Sequence, residues 1–271
     1  MNLKVESYTI MKRVKSTILL GAVLTLCTFF SSCLDDNDPI AIYPTLGTIS
    51  STNPIKIESD FYGIILPKNP SLITTHQADS VGQRVLTNLY FDSEPTSTEG
   101  GEQSANILDC YKVLTKPAND LRLPDAPSAD SFGLAPIQPT SASLSKEHLN
   151  IQFNIQGENE NIPHRISLLL TDKTEIDSDG YLSVYLRHHP NGDIQNTIYW
   201  GIVSFPLSSI PEYSDPACKG MKVYYNSGAD LNASIMVRKH ASKSDELTFS
   251  RMMEASQEVA HQHTLFTSQL Q

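Results

Sequence analysis

Apolar and polar residues alternate along much of this chain with a period of two. The clearest run is Leu149–Gln156, where every second residue is apolar and the others are amides. A strand sends successive side chains to opposite faces, so the run predicts one buried face and one wet face. Ile166, Leu168 and Leu170 repeat the pattern, as do Leu182, Val184 and Leu186. Ile198–Phe205 is apolar on both faces and reads as a central strand; Lys222–Tyr225 and Ser234–Arg238 follow. Asp177–Gly180 and Asn191-Gly192-Asp193 are turn formers between them. About seven such strands predict a two-sheet β-sandwich over residues 137–251.

The preceding stretch has a different texture. Leu46–Ile49, Ile55–Glu58, Phe61–Leu66, Arg84–Phe91 and Ile107–Leu114 are short runs rich in β-branched and aromatic residues. About five short strands fit a small OB-like barrel over residues 45–118. Pro117, Pro124, Pro127, Pro136 and Pro139 then interrupt any regular pattern, which predicts a linker over residues 119–136. Residues 252–271 read as a polar tail, either a short helix around Glu254–Ala260 or a disordered end. The expected class is all-β.

The beginning of the chain reads as a sorting signal. Lys12, Arg13 and Lys15 precede the apolar run Ile18–Phe30. A bilayer-crossing helix needs about 20 apolar residues, and this shorter run suits the core of a signal peptide over residues 1–32, with translation starting at Met11. Phe30-Ser31-Ser32-Cys33 resembles a lipobox, with Phe30 where Leu is usual, so the Cys33 thiol is expected to take the lipid. Residues 33–44 form a lipidated tether. Its Asp35, Asp36 and Asp38 resemble the surface-export tag of Bacteroidota lipoproteins. The expected address is the outer membrane, lipid-anchored, at the cell surface, with the periplasmic face as the alternative.

Charge narrows the partners. The 271 residues carry a formal net charge of −10. Residues 1–32 hold Lys4, Lys12, Arg13 and Lys15 against Glu6 alone, so the chain from Cys33 onward stands at −13. A phosphate backbone would be repelled, which argues against nucleic acid. Cys27 leaves with the signal. Cys110 and Cys218 remain and read as two separate small hydrophobes, with a disulfide as the alternative.

Several constellations invite chemistry. His188-His189 with Asp193 suggests metal ligands, but adjacent strand residues face opposite ways, so a hairpin-end role is the better reading. Glu175–Gly180 starts like a calcium loop, yet Leu186 occupies the position where a bidentate Glu is needed. His261 and His263 lie in the tail. No G-x-S-x-G, G-x-G-x-x-G or P-loop occurs, so neither catalysis nor a cofactor or metal is expected. Tyr62, Tyr90 and Tyr111, with Phe91, are the aromatics available for a ligand face on the barrel, against the alternative that these rings fill its core.

Ser31–Asp36, Gly82–Val85, Tyr111–Thr115, Leu149–Phe153, Asp179–Tyr181, Leu186–His188, Asn191–Asp193 and Val203–Leu207 together resemble the NigD-like lipoproteins of Bacteroidota. That resemblance implies an OB-like N-terminal barrel followed by a C-terminal β-sandwich. It also suggests a bacteriocin or immunity setting. The expected function is a non-catalytic binding or interaction module, held to the membrane by its lipid, with a protein or glycan ligand. A structural subunit of an outer-membrane assembly is the first alternative, and a metal-dependent hydrolase the second.

Overall fold

The computed structural model describes residues 41–96, 101–194, 196–239, 264–265 and 270–271. The signal peptide, Cys33 and its acidic run, Glu254–Ala260, and His261 and His263 lie outside the described residues. The first described unit of structure is a closed five-stranded barrel. It is built from β1 (Tyr43–Thr52), β2 (Ile55–Ser59), β3 (Gly63–Pro67), β4 (Arg84–Tyr90) and β5 (Glu102–Lys112), in the order β1-β2-β3-β5-β4. One short helix, α1 (Ser71–Thr75), links β3 to β4. Ile49, Ile57, Ile65, Val85, Leu89 and Ile107 fill the barrel, with Ile73 of α1 joining them. Closure leaves the barrel no open edge to manage.

The second unit is a sandwich. Its strands are β6 (Leu114–Thr115), β7 (Asn119–Asp120), β8 (Gln138–Leu144), β9 (His148–Gly157), β10 (Arg165–Leu170), β11 (Tyr181–His189), β12 (Thr197–Pro206), β13 (Gly220–Tyr225), β14 (Ala233–Arg238) and β15 (Thr264–Leu265). One sheet runs β14-β13-β11-β10-β7 and the other β15-β12-β9-β8, with β6 also on β12. Leu149, Ile151, Phe153 and Ile155 of β9 meet Ile166, Leu168 and Leu170 of β10 and Leu182, Val184 and Leu186 of β11. The alternation read from the sequence is therefore the alternation between core and outer face. Each such side chain contributes about 1.5–3 kcal/mol on burial.

The amide face of β9 is wet only at its far end, where Asn154 is half-buried and Gln156 exposed. His148, Asn150 and Gln152 are buried because the barrel lies over them. Leu46, Leu86 and Val113 of the barrel side pack against Trp200 and Ile202 of β12. Arg84 donates to both Asp60 oxygens at 2.7 Å and reaches Asn150 Oδ1 at 2.9 Å, while Ser204 Oγ donates to the same Asn150 oxygen at 2.7 Å. The pair is out of water, with Arg84 at 1% and Asp60 at 8% side-chain exposure. The same cover explains β12. Its two apolar faces meet the sandwich core and the barrel, and within its sheet it lies between β9 on one edge and, among the described residues, the two-residue β6 and β15 on the other.

The proline-rich stretch expected as a linker is laid onto the sandwich. Asn119–Asp120 pairs in parallel with Leu169–Leu170 of β10. A 3-10 turn, Ala129–Phe132, then packs on β10 and β11. The Arg165 guanidinium sits 5.4 Å from the centre of the Phe132 ring. Proline removes backbone donors but does not prevent a segment from packing by its side chains. Cys110 and Cys218 are both buried free thiols, so no disulfide joins them.

Candidate functional site

The outer face of the β14-β13-β11-β10-β7 sheet carries its most distinctive chemistry. Strand register sets Leu169, Tyr185, Tyr224 and Ser234 in one row across four strands. The Tyr185 and Tyr224 rings stack, with centroids 5.4 Å apart and planes 20° apart. Arg187 lies 5.7 Å from the Tyr185 ring centre, and Lys222 lies 5.5 Å from that of Tyr224. These placements are cation–π contacts at the two flanks of a tyrosine stack.

Among the described residues, neither cation is in an ion pair with a carboxylate. Arg187 donates only to the Leu186 carbonyl, at 3.1 Å, leaving most of its five donors unused by protein. Burial lowers its pKa from the usual arginine value. Asp177 senses the Lys222 charge, but its Oδ1 is already taken by the backbone N–H groups of Asp179 and Tyr181. Burial, and then the neighbouring Tyr224, raises the Tyr185 phenol above its ordinary pKa, so it stays a neutral donor. Met236 is the single large exposed hydrophobic residue of β11, β13 and β14. The face can therefore offer guanidinium, ammonium and phenol donors to an acidic ligand, with little apolar area.

At one end of the sandwich the histidines form a hydrogen-bonded chain. His188 Nδ1 lies 2.8 Å from the Pro136 carbonyl and His188 Nε2 lies 2.8 Å from His164 Nδ1. His164 Nε2 lies 3.1 Å from Asp193 Oδ2. A carbonyl and a carboxylate only accept, so His188 donates through Nδ1 and His164 through Nε2. The contact between His188 Nε2 and His164 Nδ1 joins the two rings. Burial, the dominant cause, pulls the His188 pKa down to about 4, which keeps that ring neutral. Asp193 also accepts from the backbone N–H groups of Glu158 and Ile194. The chain ties three segments of the fold together. The sequence pattern points to His188 and Asp193 but gives no sign of His164. The hairpin of β10 and β11 supplies the missing signal, since Ile166 pairs with His188 and brings His164 to the same end. His189 faces the other way, and among the described residues no group of three metal-ligating side chains is assembled.

The barrel tyrosines go to separate places. Tyr62 meets Tyr43 edge-on at 5.9 Å and Phe91 at 5.7 Å, within the barrel's own aromatic cluster. Tyr111 lies 6.2 Å from the His76 ring, and Tyr90 is half-buried opposite Asn106. The Asp177–Gly180 segment is a turn leading into β11, closed by the Gly180 N–H bond to the Asp177 carbonyl at 3.0 Å.

Comparison with known proteins fits this architecture. Residues 122–239, which take in β8 through β14, match the family described as NigD-like C-terminal beta sandwich domain. Residues 122–239 of this chain are thus similar to the NigD-like C-terminal β-sandwich domain. A protein of unknown function from Bacteroides vulgatus shares the fold, at TM-score 0.59 and 21% identity, over 76% of this chain and 94% of that one. A Parabacteroides distasonis protein provisionally described as toxin-related gives TM-score 0.55 and 21% identity, over 78% and 99%. A Bacteroides fragilis protein provisionally described as a lipoprotein gives 0.53 and 12%, over 74% and 100%. No curated protein matches this chain in sequence. Among the described residues no helix is long and apolar enough to cross a membrane.

Proposed function

We propose that this protein is a lipid-anchored, non-catalytic binding module of the outer membrane. It is displayed at the cell surface through Cys33 and takes an acidic ligand on the Tyr185–Tyr224 face. The observation that carries the reading is the stacked tyrosine pair flanked by two cations that, among the described residues, form no ion pair with a carboxylate, on a chain of net charge −10. The ligand chemistry is a carboxylated glycan in preference to a protein. A stable protein interface buries about 800 Å² per partner around an apolar centre, and this face exposes only Met236 as a large hydrophobic. The lipoprotein description of one fold relative supports the anchor. The toxin-related description of another favours a bacteriocin or immunity setting for the same module.

Titration of the purified soluble chain with polygalacturonate oligomers and with an oligoglutamate peptide tests the reading. Binding of the glycan, lost by more than tenfold in Arg187→Gln/Lys222→Gln, is the expected result. Preference for the peptide would move the ligand class to protein. Failure of both probes, or equal binding by the double variant, would remove the proposal.

A further inference from the structure

Residues 171–177 run on from β10 and extend the outer face of its sheet past the end of the strand. Ile176 forms an antiparallel bridge to Leu182 of β11, and Ser183 N–H donates to the Glu175 carbonyl at 3.1 Å. Ile176 packs on the sandwich core to which Leu182 belongs. Successive side chains alternate, so Glu175 falls on the outer face, opposite Ser183. The register of β11, β13 and β14 carries this row onward through Lys222 to Met236. The neighbouring row holds Tyr185 and Tyr224. Glu175 is exposed, and among the described residues its carboxylate makes no ion pair. Its charge reaches the Tyr185 phenol, where it adds to the raising effects of burial and of Tyr224.

A carboxylate at this point opposes an acidic ligand, so its position matters. Arg187 stands two residues beyond Tyr185, and Lys222 stands two residues before Tyr224, on parallel strands that set the two tyrosines side by side. Their Cα atoms are therefore about 14 Å apart, at roughly 3.3 Å per residue and 4.8 Å between strands. One sugar ring cannot touch both cations. A ligand that uses both lays a further ring on the tyrosines between them. Glu175 lies beside that middle stretch, two strands from Lys222, or about 10 Å between Cα atoms. There it repels a carboxylate and accepts hydrogen bonds from hydroxyl or amide N–H groups.

We propose that Glu175 determines the specificity of the Tyr185–Tyr224 face. It selects acidic glycans in which carboxylated and neutral sugars alternate, over chains that carry a carboxylate on every ring. The inference rests on the glycan-binding role proposed above for this face. The outer carboxylates meet Arg187 and Lys222. The neutral sugar between them lies on the tyrosines, with its hydroxyl or acetamido groups toward Glu175. A carboxylate on the middle ring would face Glu175 as a like charge. The screening length is about 8 Å at physiological salt, so that repulsion is felt across the site.

The test titrates the purified soluble chain with hyaluronan oligomers, in which uronate and N-acetylglucosamine alternate, and with galacturonate oligomers of equal length. The wild type is expected to prefer hyaluronan by about fivefold or more. Glu175→Gln is expected to tighten galacturonate binding by about threefold or more and to leave hyaluronan binding nearly unchanged, with the gain vanishing in molar salt. Glu175→Asp is expected to keep the wild-type preference. An unchanged ratio in Glu175→Gln, or a wild type that binds galacturonate as tightly as hyaluronan, would overturn the role of Glu175. If Arg187→Gln/Lys222→Gln still lost both ligands, the glycan-binding reading of the face would stand without it. Binding of neither oligomer by the wild type, or binding that the double variant retains, would remove both.

Discussion

Asp60 and Arg84 illustrate how one residue pair can decide a fold-level question. Both are taken out of water where the barrel meets the sandwich, and Asn150 and Ser204 complete their hydrogen bonds from the other side. Removing one partner of a buried pair leaves the other charge stranded, at a cost of about 3–5 kcal/mol. Arg84→Met is therefore expected to lose that much in urea denaturation, whereas the exposed Lys68→Met, which loses a partner in Asp92, is expected to lose less than about 1 kcal/mol. His188 gives a pH signature. Its folded pKa is depressed to about 4 from the ordinary 6.5, so between those values the unfolded chain binds a proton that the folded chain refuses. Stability from this residue is full above about pH 6.5 and declines toward pH 4, by up to roughly 3 kcal/mol at 1.36 kcal/mol per unit. His188→Phe is expected to flatten that slope in melts run from pH 7 to pH 4; an unchanged slope would show that His188 does not set it.

At the scale of elements, the segment that crosses the outer face of β10 and β11 depends on one glycine. Gly133 has φ 73° and ψ 169°, and a Cβ there would stand 2.7 Å from the His188 carbonyl oxygen. Gly133→Ala is expected to cost about 2 kcal/mol or more, read as a fall of several degrees in the melting midpoint. The elements themselves were largely legible. Alternation in β9, β10 and β11 marked the faces of the sandwich because each has one side on the core. The five barrel strands were legible from β-branched runs between turns. What periodicity could not convey was that the barrel covers the amides Asn150 and Gln152. A polar side chain looks solvent-facing in a sequence, whether water or a buried arginine answers it. Ile198–Phe205 reads as a central strand and β12 is indeed interior to its sheet, but the sequence could not say that its second apolar face meets Leu46, Leu86 and Val113 of the barrel. His164 was missed because the pairing that brings it to His188 is a property of the hairpin. The tyrosine stack was missed because Tyr185 and Tyr224 meet only through the parallel register of β11 and β13.

At the scale of the molecule, the described residues form two β-domains joined through a packed and hydrogen-bonded interface, with no covalent cross-link between their two cysteines. Burial and then the Asp109 charge push the Cys110 thiol up to about 12, and Cys218 is 3% exposed. Iodoacetamide is expected to leave both unmodified in native buffer and to label both in urea; rapid native labelling would contradict their placement. In the proposed role, this body would hang from a lipid on Cys33 and hold a ligand away from the membrane. The decisive measurement is retention of fluorescent polygalacturonate by intact cells carrying the full-length protein. Bright cells are expected with the wild type, and background signal with Arg187→Gln/Lys222→Gln at equal surface antibody staining. Equal probe retention by the two, or staining that appears only after the cells are permeabilised, would contradict the proposed role.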